Sequence, residues 1–202
     1  MKIENLLQKC LLVLVCLSFI SFGFSQAEWE VDMVRNINPT YPDDPTWKGF
    51  SSSAKPIAIA IPFGMLAVSL IKENKKGELN AYEVAASLAI VTVATEAMKV
   101  LVKRPRPYQT YADIYPDEID YGNSYPSGHT SIAFATATSI TLISKKWYIA
   151  LPAFAWATGV GYSRMYLGQH YPSDVIMGAL VGAGSAYAGH WLRKKLFTKK
   201  KK

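Results

Sequence analysis

A histidine, an aspartate and an arginine lie close together in the segment SRMYLGQHYPSD, residues 163–174. His170 precedes Asp174 by four residues, about one helical turn, so the carboxylate can reach a ring nitrogen. A carboxylate that holds one nitrogen fixes the tautomer and leaves the other nitrogen free to attack. Arg164, six residues before His170, offers a planar fork of donors that suits phosphate oxygens. The spacing indicates phosphoryl transfer through a phosphohistidine, and a surface histidine paired with a nearby acid is the structural alternative.

Two further groups of polar residues lie upstream, at the edges of apolar stretches. Ser127, Gly128 and His129 come directly before an apolar run, and backbone N–H groups at the start of a helix point toward an anion. Lys99 and Arg106 are separated by six residues at the end of an earlier apolar run. Taken alone, Ser127 is equally explained as a helix cap, and Lys99 as a lysine that extends from a helix end toward water.

The three segments match the signatures of a known family, in the family's order and without a gap. They are KVLVKRPRP (99–107), PSGH (126–129) and SRMYLGQHYPSD (163–174). On these residues the chain resembles the type-2 phosphatidic acid phosphatase family, which includes membrane lipid phosphatases and soluble bacterial acid phosphatases. One motif alone is a weak signal, whereas three in order are specific, and the resemblance spans roughly the last two thirds of the chain.

The resemblance implies a role for each motif residue. His170 is the nucleophile, Asp174 holds it in place, and His129 protonates the leaving alkoxide before activating water for hydrolysis. The resemblance also implies a set of ligands for the substrate phosphate: Lys99, Arg106, Ser127, Gly128 and Arg164. Three positive side chains can neutralise a phosphate without a metal, so we expect neither a metal nor another cofactor.

Other charged residues near the motifs are expected to lie outside the site. We interpret Lys103 and Arg104 as a hydrated interfacial pair that attracts acidic lipid headgroups. The third histidine, His190, is near the far end of the last apolar run and is expected to be structural. An acidic loop between the first two motifs is expected to form a solvated lip over the site; its carboxylates are Asp113, Asp117, Glu118 and Asp120.

The N-terminal part of the chain predicts export from the cytoplasm. Residues 1–27 combine a basic start, an uncharged apolar core and small residues at a plausible cleavage point, which is typical of a signal peptide; an uncleaved first membrane helix is the alternative. Residues 28–55 are polar, aromatic and rich in proline, and we expect an irregular extracytoplasmic segment with one short helix. Both cysteines lie in the first apolar stretch, so the body has no disulfide framework.

Five apolar runs then predict helices, because none alternates like a strand and most are too long for one. They cover residues 56–71, 81–102, 130–144, 147–162 and 175–192. The predicted fold is all-α, a bundle of about five to six mostly transmembrane helices. Several runs are shorter than the ~20 residues that cross a bilayer, so the buried helices of a soluble protein are an alternative. Glycines in the last run, among them Gly178 and Gly182, predict close packing between helices of one chain.

The distribution of positive charge favours the membrane interpretation. If the five runs span, residues 72–80, 145–146 and 193–202 share one side, and they hold twelve Lys and Arg against two acids. Cytoplasmic loops are basic in this way, and the same topology places all three motifs on the opposite, periplasmic face of a bacterial inner membrane. We therefore expect a phosphatase domain over 56–195 and a basic tail over 196–202. No nucleic-acid-binding signature accompanies the formal charge of +7.

These observations predict a metal-independent membrane phosphatase that hydrolyses a lipid phosphate or diphosphate through a phosphohistidine. Family substrates of this type include undecaprenyl diphosphate, phosphatidic acid, phosphatidylglycerol phosphate and the phosphates of lipid A. The motifs recognise only the phosphate, so the tail and sugar are left open. Two alternatives are a soluble periplasmic acid phosphatase for small phosphomonoesters and a vanadium-dependent haloperoxidase, whose vanadate pocket resembles a phosphate pocket.

Overall fold

In the computed structural model, which describes residues 27–197, every regular element is a helix, so the prediction of an all-α fold is confirmed. All but the last residue of the predicted signal peptide or first membrane helix (1–27) and most of the predicted basic tail (196–202) lie outside the described residues. Two helices are short, α1 (Glu28–Ile37) and α4 (Pro107–Thr110). The five long ones are α2 (Pro45–Ile71), α3 (Lys75–Val102), α5 (Gly128–Ser144), α6 (Trp147–Tyr166) and α7 (Pro172–Phe197).

The segment expected to be irregular, residues 28–55, is mostly helical, which corrects that prediction. Helix α2 begins at Pro45, eleven residues before the apolar run, because Asp44 caps it by accepting hydrogen bonds from the N–H groups of Thr46 (2.8 Å) and Trp47 (3.3 Å). The helix then continues through Pro56 and Pro62. One face of it is buried over its length, so packing compensates for the hydrogen bonds that the prolines remove.

Helix α5 is the centre of the bundle and packs against each of the other four long helices. It can do so because its buried side chains are small: Thr130, Ser131, Ala133, Ala135, Thr136, Ala137, Thr138 and Ser139. Small side chains let neighbouring helix axes approach closely.

The glycines of α7 complete this packing, as the sequence predicted. A Cβ added at Gly178 would lie 2.7 Å from the carbonyl oxygen of Ser127 at the start of α5. One added at Gly189 would lie 3.1 Å from the carbonyl oxygen of Glu83 in α3. The glycine face of α7 is therefore used within the chain.

Three helices of the described chain are long and apolar enough to cross a membrane: α2, α3 with its continuation to Thr110, and α7. The sequence predicted a bundle of about five to six mostly transmembrane helices. Helix α5 has only 17 residues, fewer than the ~20 that a bilayer requires, and its neighbours cover its polar Thr and Ser side chains. The protein is a membrane protein whose central helix is enclosed by other helices.

The alternation of the long helices separates the bundle into two chemically different ends. Helices α3 and α6 end, and α5 and α7 begin, at the end that carries the three motifs, here called the motif end. The other end, here called the basic end, contains the turns at residues 72–74 and 145–146 and the last turn of α7. Its cations are Lys72, Lys75, Lys76, Lys145, Lys146, Arg193, Lys194 and Lys195.

Helix α1 is attached to the motif end. Its Val31 and Val34 are buried against Ile114 and Tyr171. Just after it, Asn38 donates hydrogen bonds to the carbonyl oxygens of Tyr115 and Tyr166, both at 2.8 Å, and accepts one from the N–H of Tyr115 at 2.8 Å. This helix therefore belongs to the same packed body as the motif-bearing segments.

Candidate active site

His170 and Asp174 form a buried pair where the loop after α6 enters α7. Nδ1 of His170 lies 3.5 Å from Oδ2 of Asp174, and the Asp174 side chain has no exposed surface. The same oxygen accepts hydrogen bonds from the Ser124 hydroxyl and from the N–H of Tyr171 (2.9 Å), while Oδ1 accepts from Arg104 (2.8 Å). The carboxylate is thus held at both oxygens with Nδ1 of His170 toward it, and this orientation leaves Nε2 available for chemistry.

Arg106 lies on the other side of the histidine, with Nη1 3.4 Å from Nε2 of His170. Its guanidinium is held by Gln169 Oε1 at 2.9 Å, by the carbonyl oxygen of Gly122 at 3.0 Å, and by an ion pair with Asp120. Burial lowers the pKa of His170 to about 4, against the opposing effect of Asp174. The imidazole is therefore neutral near pH 7, as a nucleophile must be.

Arg164 lines the cavity next to these residues. Its side chain is 2% exposed, Nη1 donates to Ser51 Oγ, and its buried Nε has no hydrogen-bond partner. The cavity has a volume of about 310 Å³ and is lined by Lys48, Ser51, Ser52, Asp117, Glu118, His129 and Arg164. A buried guanidinium N–H without a partner beside a cavity marks a place where an anion can bind.

The second histidine, His129, is in the first turn of α5 and faces the same cavity. Burial, with Arg164 and Lys55 nearby, lowers the pKa of His129 to about 3. Its ring is therefore neutral while the cavity is empty. A bound anion would reverse this effect, because negative charge beside an imidazole favours its protonated form.

The remaining predicted phosphate ligands surround this centre. Ser127 precedes α5, and its N–H donates to the carbonyl oxygen of Asp174 at 3.0 Å. Its hydroxyl makes no capping bond and instead accepts from Thr130 Oγ1 at 2.9 Å. Gly128 has room beside it, since a Cβ added there would come no closer than 3.9 Å to its nearest neighbour, the Thr95 methyl group. Lys99 interacts electrostatically with Arg106 and lies on the last turn of α3.

Arg104 is not the hydrated interfacial residue that the sequence suggested. Lys103 has the left-handed backbone that ends α3 and is exposed, as expected, but the Arg104 side chain is only 3% exposed. It forms ion pairs with Asp174 (2.8 Å) and with Glu30 of α1 (2.7 Å). The reason is that Asp174 and Glu30 are both buried and need a cation. Arg104 lies between the two carboxylates and binds both.

The acidic loop is also more than a solvated lip. Asp120 pairs with Arg106, Asp117 accepts a hydrogen bond from Gln169 at 2.8 Å, and Asp113 pairs with Arg35 of α1 at 2.7 Å. No group of three or more His, Cys, Asp or Glu among residues 27–197 has the arrangement of a metal site. The loop carboxylates thus act on cations of the protein.

A larger, apolar cavity lies away from this chemistry. It has a volume of about 680 Å³, opens along α2 and is lined mainly by apolar side chains such as Ile57, Ile61 and Met65. We assign the site to the smaller polar cavity, because His129 and Arg164 line it and Arg164 acts electrostatically on His170. Of the predicted residues, His170, Asp174 and Arg106 are in direct contact, and His129 and Arg164 share the cavity.

Comparison with known proteins identifies the family signature independently. A model of the PAP2 superfamily matches residues 80–198. The chain is 39% identical over 100 residues to an undecaprenyl-diphosphatase from Sulfolobus acidocaldarius, a match that covers 48% of this chain and 47% of the relative. The matched segment thus spans about half the length of that protein.

Longer matches agree with this. A lipid A 4'-phosphatase from Bacteroides thetaiotaomicron is 26% identical over 162 residues, which is 75% of this chain and 72% of the relative. The fold resembles that of a transmembrane PAP2-type phosphatidylglycerolphosphate phosphatase from Bacillus subtilis, with a TM-score of 0.68, 21% identity and coverage of 95% and 97% of the two chains. The match includes the region of α1 and α2 that precedes the family model.

Proposed function

The chain belongs to the PAP2 superfamily, and from this membership we propose that it is a membrane phosphatase that hydrolyses the phosphate or diphosphate of a lipid. The observation that carries the proposal is the position of His170. One ring nitrogen faces Asp174 and the other faces Arg106, and Arg164, whose buried Nε has no hydrogen-bond partner, lines the neighbouring cavity. This arrangement suits a histidine that attacks a bound phosphate.

In the proposed reaction, Nε2 of His170 attacks phosphorus while the bond from phosphorus to the leaving oxygen breaks. Asp174 stabilises the positive charge that develops on the imidazole, and Arg106, Arg164 and Lys99 neutralise the equatorial phosphate oxygens. The N–H of Gly128 at the start of α5 and the hydroxyl of Ser127, which accepts from Thr130 and can still donate its own proton, are proposed as further donors.

His129 is the proposed general acid. The negative charge of the substrate raises its proton affinity, so it can donate a proton to the leaving alkoxide. The same ring then takes a proton from water, the hydroxide attacks the phosphohistidine, and inorganic phosphate leaves with His170 restored. No step requires a metal.

The proposed substrate is a lipid because the site lies at the end of membrane-capable helices. The relatives and the structural neighbour include proteins named for undecaprenyl diphosphate, lipid A and phosphatidylglycerol phosphate. The candidate panel therefore contains these three and phosphatidic acid.

The test is phosphate release by the purified protein in detergent, with EDTA present, from the four lipids and from a water-soluble phosphomonoester. We expect a strong preference for one lipid. Preference for the soluble ester would favour the acid phosphatase alternative. Bromide- and peroxide-dependent halogenation with vanadate would favour the haloperoxidase, and no release by folded protein would overturn the proposal.

We also propose that the motif end faces the periplasm of a bacterial inner membrane. The support is the concentration of Lys and Arg at the basic end, since cytoplasmic loops carry the excess of positive charge. Single cysteines replacing exposed Tyr121 and exposed Trp147 mark the two ends. In a background with both native cysteines replaced, a membrane-impermeant thiol reagent added to intact spheroplasts should label Tyr121→Cys alone. Labelling of only Trp147→Cys would invert the topology.

A further inference from the structure

The ion pair between α1 and the loop after α3 has no role in the proposed reaction as described so far. Glu30 and Arg104 are separated by 74 residues in sequence, yet Nη2 of Arg104 donates to Oε2 of Glu30 at 2.7 Å, with both side chains 3% exposed. Nη1 of the same guanidinium donates to Asp174 Oδ1 at 2.8 Å and to Ser173 Oγ at 2.7 Å. Arg104 therefore connects the first helix to the carboxylate behind the proposed nucleophile.

The contacts of this ion pair fix the start of α7 as well as the carboxylate. Oε1 of Glu30 accepts a hydrogen bond from the N–H of Ser173 at 2.9 Å. The Arg104 guanidinium lies 4.0 Å from the centre of the Tyr171 ring. Oε1 of Glu30 and Nη1 of Arg104 thus bind Ser173 and Asp174, while Oε2 and Nη2 join the two side chains to each other. The segment that they hold also carries Asp174, the partner of His170.

The buried group of Glu30, Arg104 and Asp174 also has a defined balance of charge. Two carboxylates, Glu30 and Asp174, share one guanidinium, and in the described part of the chain no other lysine or arginine forms an ion pair with either of them. A buried carboxylate without its cation takes up a proton more readily, whereas one with a whole cation to itself is a weaker hydrogen-bond acceptor. The shared arrangement lets Asp174 stay ionised and still act on the imidazole.

We propose that Arg104 and Glu30 are positioning residues for the phosphoryl transfer, through which α1 sets the orientation and charge of Asp174 behind His170. The inference rests on the proposed function. Neither residue touches the reacting atoms, so both act through Asp174. The first helix of the described chain is then part of the catalytic apparatus, although all three motifs lie after residue 98.

The test compares the pH dependence of kcat in three variants, since a merely structural role predicts a uniform loss. In Arg104→Met, Glu30 and Asp174 face each other without a cation, which favours protonation of the group. The pH at which kcat falls on the acid side should therefore rise by about one unit. In Glu30→Gln the Arg104 guanidinium pairs with Asp174 alone. The pH at which kcat falls on the acid side should then be lower, and the maximal kcat should fall about tenfold. Arg104→Lys should restore the pH of this fall but not the full maximal kcat.

The structure shows which groups face Asp174, so a shift in the pH profile of kcat can be assigned to them. They are His170 and Tyr171 from its own segment, Ser124 and Tyr125 from the loop before α5, and Arg104 after α3. KM should change less than twofold in each variant, because the phosphate ligands are unaltered. Arg35→Met is the matched control, because it removes an exposed ion pair of the same helix with Asp113 and should leave kcat and its profile unchanged.

Opposite shifts for Arg104→Met and Glu30→Gln would support the proposal. Shifts in the same direction, or unchanged profiles in variants that are folded and active, would overturn it. Should Arg104→Met not fold, Glu30→Gln alone decides, because the substitution is isosteric. Absence of turnover in the wild type on every lipid contradicts the proposed function instead, so the two failures are distinguishable.

Discussion

Two groups of the same residue types, each built on a buried carboxylate, lie at opposite ends of the bundle. The motif-end group consists of His170, Asp174 and Arg104. The basic-end group consists of His190 and Arg193 of α7 and Glu83 of α3, with Nδ1 of His190 2.8 Å from Oε1 of Glu83 and Arg193 bound to the other oxygen. Each contains a histidine beside a carboxylate with no exposed side-chain surface, and each carboxylate also binds an arginine.

The difference lies in what surrounds each histidine. In the basic-end group, Glu83 directs both oxygens at α7, and the group joins two helices. In the motif-end group, the second nitrogen of His170 faces Arg106, and Arg164, Lys99 and a polar cavity lie beyond it. A histidine, an acid and an arginine are therefore common to both groups, and the motif-end group differs in having a polar cavity lined by Arg164 and a second histidine, His129.

The largest expected difference between the two groups is in turnover. His170→Ala should lower kcat by at least about 10³-fold, because no other group is placed to attack phosphorus. His190→Ala, the matched change in the basic-end group, should retain activity within about threefold. Rapid-quench trapping with a ³²P-labelled substrate should give an acid-labile phosphoenzyme in the wild type and in His190→Ala alone. Comparable turnover in His170→Ala and wild type would contradict the mechanism.

The next largest difference is expected in kcat/KM between variants of Arg164, which lines the cavity, and of Arg193 in the basic-end group. Arg164→Gln should reduce kcat/KM by about 10²-fold, because it removes a preorganised charge from the transition state. Arg193→Gln should change kcat/KM little, since its guanidinium already belongs to Glu83. Steady-state kinetics on the preferred lipid measures both. Equal losses in the two variants would show that the arginines act through stability.

The basic-end group should matter for stability instead. Glu83→Ala leaves His190 and Arg193 without their partner, and breaking a buried pair costs about 3 kcal/mol. The thermal midpoint in detergent should fall clearly, while kcat of the folded fraction stays near that of wild type. Asp43→Ala, which removes the exposed pair with Lys48, is the control and should leave the midpoint unchanged. Loss of kcat in folded Glu83→Ala would mean that the two ends are coupled.

Gly178 lies in α7 between the motif-end and basic-end groups, and its substitution tests the packing of α7 against α5. Gly178→Ala places a Cβ 2.7 Å from the Ser127 carbonyl, so the PSGH segment has to move; we expect a loss of about 1–3 kcal/mol and reduced kcat. Gly184→Ala, on the same helix with open space beside it, should be neutral or slightly stabilising. Thermal denaturation and kinetics of the two variants separate packing from helix propensity. Equal behaviour would contradict the close approach of α5 and α7.

The smallest expected effect is on the pH profile. With a pKa of about 4, His170 remains unprotonated and nucleophilic at pH 5.5, where a histidine with the ordinary value of about 6.5 would be mostly protonated. We expect kcat/KM, corrected for ionisation of the substrate, to be retained from pH 7 to pH 5.5 and to be lost as the pH falls through about 4. His190→Ala should give the same profile. An acid limb near pH 6.5 would show that burial does not lower the pKa of His170.

The sequence was sufficient to predict contacts between residues that lie close together in the chain. The motif spacing predicted His170 beside Asp174, and the structure places Arg106 and His170 together and puts His129 and Arg164 on one cavity. Hydrophobic runs located the five long helices, with boundaries that were too short at several ends because polar and proline-containing turns extend them.

Contacts between distant segments could not be predicted in this way. Glu30 and Asp174 bind Arg104 across 74 and 70 residues, and local spacing does not show which segments pack together. One signal was present, since Arg104 repeats the arginine-proline pattern of Arg106 two residues earlier. Ser51 of α2, which contacts Arg164, fell in a segment expected to be irregular.

The two ends of the bundle also differ in their connections, and this decides where the protein can be redesigned. At the basic end, α2 and α3 are joined by residues 72–74, where Asn74 caps the helix, and α5 and α6 by two lysines. At the motif end, residues 111–127 cross the surface and expose Ile119 and Tyr121 close to Asp120. Ile119 and Tyr121 are therefore positions at the motif end where substitution leaves the buried contacts of the loop, such as those of Ile114, in place.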